Sequence, residues 1–234
     1  MKSRLILGDG ILGSKLHKLT GWDYISRKKD GIDFNDFNSY YEHILSYSEV
    51  INCIANTDTY STDRESHWNV NYKGVVDLVD YISVKACHMK LIHISTDYIY
   101  THSDENASEN DVPVHCNNWY GYTKLLADAY IQLKLKKFLL LRGTHKEEPF
   151  TYPKAWKNQK GNFDYVSVIS KLYVRLIEND SYGVYNVGTD VKTMYDLAKR
   201  TKLDVEAVDG IDMPVNVTMD TNKLKGVLDV KSFI

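Results

Sequence analysis

The sequence predicts an α/β fold, a doubly wound parallel sheet covered on both faces by helices. Three observations carry the prediction. Over the first 142 residues, short apolar runs alternate with longer stretches of helical period, as in βαβ units. The run EVINCI is rich in β-branched residues, as a strand buried on both faces tends to be. A glycine-rich turn directly follows the first apolar run and opens a helical pattern.

The elements follow in order. Arg4–Leu7 is a short strand, and Leu12, Leu16 and Leu19 follow at helical spacing. Asp23–Ser26 is a second strand and Tyr40–Ser46 a helix. Glu49–Ile54 is the third strand; Val70–Val84 is a helix with Val75, Leu78, Val79 and Ile82 on one stripe. Lys90–Ser95 is a strand, Tyr122–Lys134 a helix with aromatics at its mouth, and Phe138–Leu141 a strand. Beyond Gly143 the pattern loosens. The stretch THKEEPFTYPKAWKNQKGN holds two of the four prolines and much charge, so it reads as a surface loop. Tyr165–Glu178 and Met194–Lys202 read as helices, with a short strand at Gly183–Val187 between them. The expected organisation is a main domain over 1–145 and a small lobe over 146–234, which does not fold alone and returns elements to the core.

Bulk properties narrow the function. A net charge of −2 gives no electrostatic reason to expect a nucleic acid or an anionic membrane as partner. The apolar run near the N-terminus is broken at once by glycines, too short for a membrane span and unlike a signal peptide. Cys53, Cys87 and Cys116 are odd in number and never in CxxC spacing, which favours free thiols in the cytoplasm. The eight histidines form no metal spacing, so no metal site is expected.

LILGDGILGSKL places Gly8, Gly10 and Gly13 in GxGxxG spacing between a strand and a helix. One glycine makes the tight turn, the next lets backbone approach a pyrophosphate, and the last packs helix against strand. The helix N-terminus adds amides and positive dipole for the phosphates. This points to a dinucleotide and a Rossmann-like sheet. The second strand ends in Ser26-Arg27-Lys28-Lys29, with no carboxylate until Asp30. Arg27 and Lys28 suit the 2′-phosphate of NADP, although a merely solvated basic loop reads equally well and NAD stays open.

The spacing YxxxK occurs five times, at Tyr24/Lys28, Tyr81/Lys85, Tyr120/Lys124, Tyr130/Lys134 and Tyr195/Lys199. Position decides among them. Only Tyr120/Lys124 opens a helix that follows a strand tipped with hydroxyls, Ser95-Thr96 in KLIHISTDYIY. In a doubly wound sheet that is the edge where ligands sit. Reducing a carbonyl by hydride transfer develops alkoxide charge, which a phenol can protonate when a neighbouring cation favours its ionised form. Tyr120, Lys124 and Thr96 are therefore the candidate catalytic residues, with Thr96 holding the carbonyl oxygen.

These stretches resemble the extended short-chain dehydrogenase/reductases, and within them the dTDP-4-dehydrorhamnose reductase family. The likeness rests on GDGILG, the Asp33-Phe34 step, VINCIANTDTYSTDRESHWNVN, LIHISTDYIY and YGYTK, with a weaker echo through FLLLRGTH, FDYVSVISKLYVRLIENDSYGVYNVG and VTMDTNKLKG. It implies catalytic Thr96, Tyr120 and Lys124, with Asp97 beside Thr96 at the sugar. Gly10, Ile11 and Leu12 would line the pyrophosphate. Asp33 and Phe34 would lie near the adenosine, with Ala55, Asn56 and Thr57 on the cofactor loop. Asn71 matches a helix asparagine that supports the active-site backbone.

The chain departs from the family in three places. Leu7 stands where a glycine is usual, and His145 replaces a substrate-contacting tryptophan. The chain between Arg142 and Tyr165 is also shorter, which implies a pared-down substrate-binding lobe. The resemblance implies NAD(P)H-dependent reduction of the 4-keto group of a nucleotide-activated deoxysugar, as in dTDP-rhamnose biosynthesis, with a homodimer left open. A sugar-nucleotide epimerase on the same scaffold and a non-catalytic dinucleotide-binding regulatory subunit are the alternatives. Asp97-Tyr98 after Thr96, in place of an Asp-Glu pair, argues against a dehydratase.

Overall fold

In the computed structural model of the chain, residues 2–100, 106–111, 118–211 and 213–233 are described. Cys116 lies outside them. The first half runs β1 (Arg4–Leu7), α1 (Ile11–Thr20), β2 (Asp23–Ile25), α2 (Arg27–Asp30), α3 (Tyr41–Ile44), β3 (Glu49–Asn52), α4 (Arg64–His67), α5 (Gly74–Lys85) and β4 (Lys90–Ile94). Then come α6 (Trp119–Lys134), β5 (Phe138–Arg142), β6 (His145–Lys146), β7 (Lys154–Trp156), β8 (Lys160–Gly161), β9 (Asp164–Tyr165) and α7 (Val166–Glu178). The chain closes with β10 (Gly183–Asn186), β11 (Lys192–Thr193), α8 (Met194–Lys199), β12 (Glu206–Val208), β13 (Asn216–Val217) and α9 (Asn222–Lys225). It forms two compact units. One comprises Met1–Ser95, Asn117–Leu140 and Asp180–Gly183; the other comprises Thr96–Cys116, Leu141–Asn179 and Val184–Ile234.

The central sheet has the order β2-β1-β3-β4-β5-β10, a Rossmann-like arrangement. Its recorded pairs β1/β2, β1/β3 and β3/β4 are all parallel, with Leu5 opposite both Asp23 and Val50, and Ile51 opposite Ile92. Both faces are covered: β3 is buried throughout, and α5 presses Val75, Leu78, Val79 and Ile82 into the core as its stripe predicts. From β1 the chain winds outward in both directions. The switch point therefore lies at the carboxyl ends of β1 and β3, where such sheets hold ligands. The glycine turn follows one of these strands and Cys53–Thr57 the other. No helix among the described residues is long and apolar enough to cross a membrane.

Several elements differ from their expected bounds: α6 begins three residues earlier, at Trp119, α8 ends at Lys199, and β2, β3 and β10 stop one or two residues short. Three further differences change the structure itself. The helix expected from Tyr40 begins at Tyr41. Tyr40 itself sits at φ −140°, its ring packed on Phe34 and Phe37 with centroids 5.5 and 5.1 Å away. The helix expected over Val70–Val84 opens with a π-helical turn, Trp68–Lys73, and becomes α-helical at Gly74. The stretch expected as a loop after Gly143 contains β6, β7 and β8. They pair with β9, β12 and with β11 and β13 respectively, partners remote enough that no local periodicity reports them. In this second unit, α7 buries Val166, Ile169, Leu172, Tyr173, Leu176 and Ile177 along one face.

Candidate functional site

In the first unit, the glycine turn divides its tasks among its three glycines. Gly8 sits at φ +97°, where side chains other than glycine's are strained, and its amide donates to the Ile25 carbonyl at 2.8 Å. At Gly13 a Cβ would lie 2.1 Å from the Gly8 carbonyl oxygen, so only glycine lets α1 approach its strand this closely. At Gly10 a Cβ would meet nothing within 4 Å. Gly10 is also the N-cap of α1 and gives no side-chain cap, leaving the first-turn amides of Ile11 and Leu12 facing the turn. An open cradle at an uncapped helix N-terminus fits a pyrophosphate.

At the end of β2, Ser26 caps α2 and its hydroxyl donates to Asp9 Oδ2 at 2.9 Å, tying this strand end to the glycine turn. Arg27 and Lys28 are exposed. Arg27 pairs with Asp33 at 3.2 Å across a solvated surface, while Lys29 folds back over the Tyr24 ring. Phe34 is buried, stacked on Tyr40, and its ring fills the space that a side chain on Gly74 would need.

After β3 come the cofactor-loop candidates Ala55, Asn56 and Thr57, and Asn71 grips the middle one. The Asn71 side chain accepts from the Asn56 amide at 2.8 Å and donates to its carbonyl at 2.9 Å. The same Nδ2 lies 3.3 Å from Thr123 Oγ1, whose hydroxyl donates to the Trp119 carbonyl at 2.6 Å. Asn71 thus joins the loop to the first turn of α6. That turn carries Tyr120 and is capped by Asn118, which accepts from the Gly121 amide at 2.7 Å.

Lys124 follows one turn later and is buried. Its Nζ donates to the Ile94 carbonyl at 2.6 Å and lies 2.9 Å from His93 Nε2. Burial brings its pKa down to about 8, opposed by Asp128 and Cys53. His93, held well below the usual histidine range by burial and by Lys124, reaches on to Asn52 at 3.3 Å. Cys53 is pushed up to about 12 by burial.

The second unit holds the rest. Thr96 and Asp97 are buried where the chain leaves β4 and enters a short 3-10 turn. Thr96 Oγ1 donates to Asp97 Oδ1 at 3.3 Å, and Thr144 Oγ1 does so at 2.6 Å. Thr144 stands in RGTH, where a Cβ on Gly143 would fall 2.3 Å from the Val187 carbonyl. Burial pushes Asp97 up to about 6, against the Thr144 hydrogen bond and the Lys146 ammonium. The next residues share this environment. His145 falls to about 4, through burial and then Lys146. Lys146 is itself lowered by burial, with Asp97 opposing.

The structure thus gathers Gly8, Gly10 and Gly13, Asn56, Tyr120 and Lys124 in one unit, and Thr96, Asp97 and His145 in the other. Sequence reasoning missed His93, Asn52, Thr123, Thr144 and Lys146. Asn52, His93, Thr123 and Thr144 all lie inside stretches that carry the resemblance, VINCIANTDTYSTDRESHWNVN, LIHISTDYIY, YGYTK and FLLLRGTH, whereas Lys146 lies just beyond the last of them.

The fold recurs in solved structures. A dTDP-4-dehydrorhamnose reductase from Bacillus anthracis, in complex with NADP, is similar with a TM-score of 0.82 at 20% identity, covering 100% of this chain and 99% of that one. A hypothetical dTDP-4-dehydrorhamnose reductase from Sulfolobus tokodaii follows at 0.80 and 22%, covering 98% and 95%. A UDP-glucuronic acid 4-epimerase from Bacillus cereus, in complex with NAD, reaches 0.73 at 16%, covering 97% and 92%. No curated protein matches the sequence. A family model described as the RmlD substrate binding domain matches residues 2–145, more than half of the chain and the stretch holding the glycine turn, STDY and YGYTK, and this chain therefore belongs to that family.

Proposed function

We propose that the protein is an NAD(P)H-dependent reductase of the 4-keto group of a nucleotide-activated deoxysugar. The observation that carries this is Lys124, a buried lysine one helical turn beyond Tyr120, on a helix whose first turn is tied through Thr123 and Asn71 to the loop after β3. A pure binding protein has no use for a buried lysine there. Residues 1–145 carry the cofactor and 146–234 the smaller substrate lobe; the protein works in the cytoplasm, and a homodimer is the assembly to test.

When bound, the reduced nicotinamide supplies the hydride for the keto carbon. The chain's own residues do the rest. The cradle of Gly8, Gly10, Ile11, Leu12 and Gly13 holds the pyrophosphate, and Arg27 and Lys28 face a 2′-phosphate, which favours NADP over NAD. Asp33, Phe34, Ala55, Asn56 and Thr57 border the adenosine and ribose side. Thr96 holds the keto oxygen, Asp97 and His145 contact the sugar, and Tyr120 gives the oxygen its proton. Lys124 stabilises the resulting phenolate and bonds the nicotinamide ribose.

An epimerase on the same scaffold is the second reading, favoured by the epimerase likeness at a TM-score of 0.73. One assay separates the two. The protein is mixed with NADPH or NADH and dTDP-4-keto-6-deoxyglucose, and nicotinamide absorbance is followed. Stoichiometric consumption, abolished by Tyr120→Phe, supports the reductase. Sugar isomerisation without net oxidation supports the epimerase, and tight cofactor binding without either reaction supports a regulatory subunit.

A further inference from the structure

The Asn56 amide donates to Asn71 Oδ1 at 2.8 Å. A backbone N–H can only donate, so this contact fixes which end of the Asn71 side chain is oxygen. The nitrogen end then has two hydrogens for three neighbours. One goes to the Asn56 carbonyl at 2.9 Å. The other is shared by Thr123 Oγ1 and His67 Nδ1, each 3.3 Å away. Thr123 gives its own hydrogen to the Trp119 carbonyl, so its oxygen is free to accept. His67 Nδ1 must accept as well, which places the proton of the neutral ring on Nε2.

That Nε2–H meets no hydrogen-bond partner among the described residues, in a side chain that is wholly buried. Nothing at Nε2 therefore selects the tautomer; the Asn71 amide does. A residue kept only to fill this space would be apolar and would strand no N–H. The two acceptors come from different helices, His67 from the end of α4 and Thr123 from the first turns of α6. Without the imidazole, the shared hydrogen has Thr123 alone, and Asn71 turns toward α6.

We propose that His67 is a positioning residue, which fixes the Asn71 amide and, through it, the loop at Asn56. That this loop meets a cofactor rests on the function proposed above; the tautomer and the order of the loop do not.

Two near-isosteric variants of the full chain test it. His67→Asn keeps an acceptor oxygen close to the place of Nδ1, and His67→Leu has none. In 15N-histidine spectra of the wild type, His67 should show an unprotonated Nδ1 beside a protonated Nε2. His67→Leu should melt no lower than the wild type, because it removes a stranded N–H while Thr123 still serves Asn71. Its Asn56 amide should nevertheless exchange with deuterium about tenfold faster, and its Kd for NADPH should rise about fivefold. His67→Asn should bring both to within about twofold of the wild type. A His67 proton on Nδ1, or equal exchange in the two variants, overturns the proposal. So does a His67→Leu chain that fails to fold, since the histidine would then be merely structural. Failure of the wild type to bind NADPH would count against the reductase reading and leave the tautomer and the exchange rates to decide this one.

Discussion

Thr144 donates its hydroxyl to Asp97 Oδ1 at 2.6 Å, while the other oxygen of that carboxylate lies buried without a hydrogen-bond partner among the described residues. A carboxylate half-satisfied in this way is held back from ionising, and its pKa of about 6 follows from burial outweighing the hydroxyl. In an unfolded chain aspartate titrates at about 3.9. Between the two values the folded state binds more protons, so stability falls as pH rises from about 4 to about 6. The loss, on the order of 3 kcal/mol, is complete above that window. Asp97→Asn removes the dependence, although its amide nitrogen inherits the unpartnered place. The variant should gain on the wild type by about 1–3 kcal/mol between pH 4 and pH 8. Urea unfolding across that range measures it, and two parallel stability curves would contradict it.

The glycine turn predicts opposite behaviour for two of its members. Gly13→Ala drives a methyl to within 2.1 Å of a backbone oxygen and should cost several kcal/mol, about 3 or more, or prevent folding. Gly10→Ala meets nothing within 4 Å at φ −63°, so thermal stability should stay within about 0.5 kcal/mol. Cofactor affinity should nevertheless fall about tenfold or more, because the added methyl stands where backbone must meet phosphate. Calorimetric titration with NADPH beside a melting curve separates the two effects.

Asn71→Ala removes both hydrogen bonds to Asn56 and the contact to Thr123 at once. With Asn71 fully buried, the stranded backbone groups should cost about 2–4 kcal/mol. The Asn56 loop should also loosen, raising the KM for NADPH more than it lowers kcat. Denaturant unfolding and steady-state kinetics check the two halves separately. An unchanged KM would place the loop outside the cofactor site.

What could be read from the sequence was what local spacing encodes. Gly8, Gly10 and Gly13 announce their turn because a strand, a tight turn and a helix start are consecutive in the chain. The stripe Val75, Leu78, Val79, Ile82 announces its buried face for the same reason. The π-helical turn at Trp68–Lys73 was invisible because its residues carry the same periodicity signal as the helix they open. His93 read as one more residue of an apolar strand. Its meeting with Lys124, 31 positions away, is set by packing a helix on a sheet, and no spacing rule reports that. Lys146 was hidden by its surroundings, a charged and proline-containing stretch that reads as solvated. It is half-buried in β6, which pairs with β9, registered His145 to Asp164 and Lys146 to Tyr165.

The wide turn at Trp68–Lys73 makes one continuous helix serve two clocks. Each α-helical residue advances the side-chain direction by about 100°, so a uniform helix would fix where Asn71 points from where Val75 points. Taking in extra chain within a single turn breaks that gearing. The downstream half can follow the sheet it covers while His67 and Asn71 keep time with the loop after β3. Evolution can therefore repack the core beneath α5 without re-aiming the asparagine, and can re-aim the asparagine without disturbing the core.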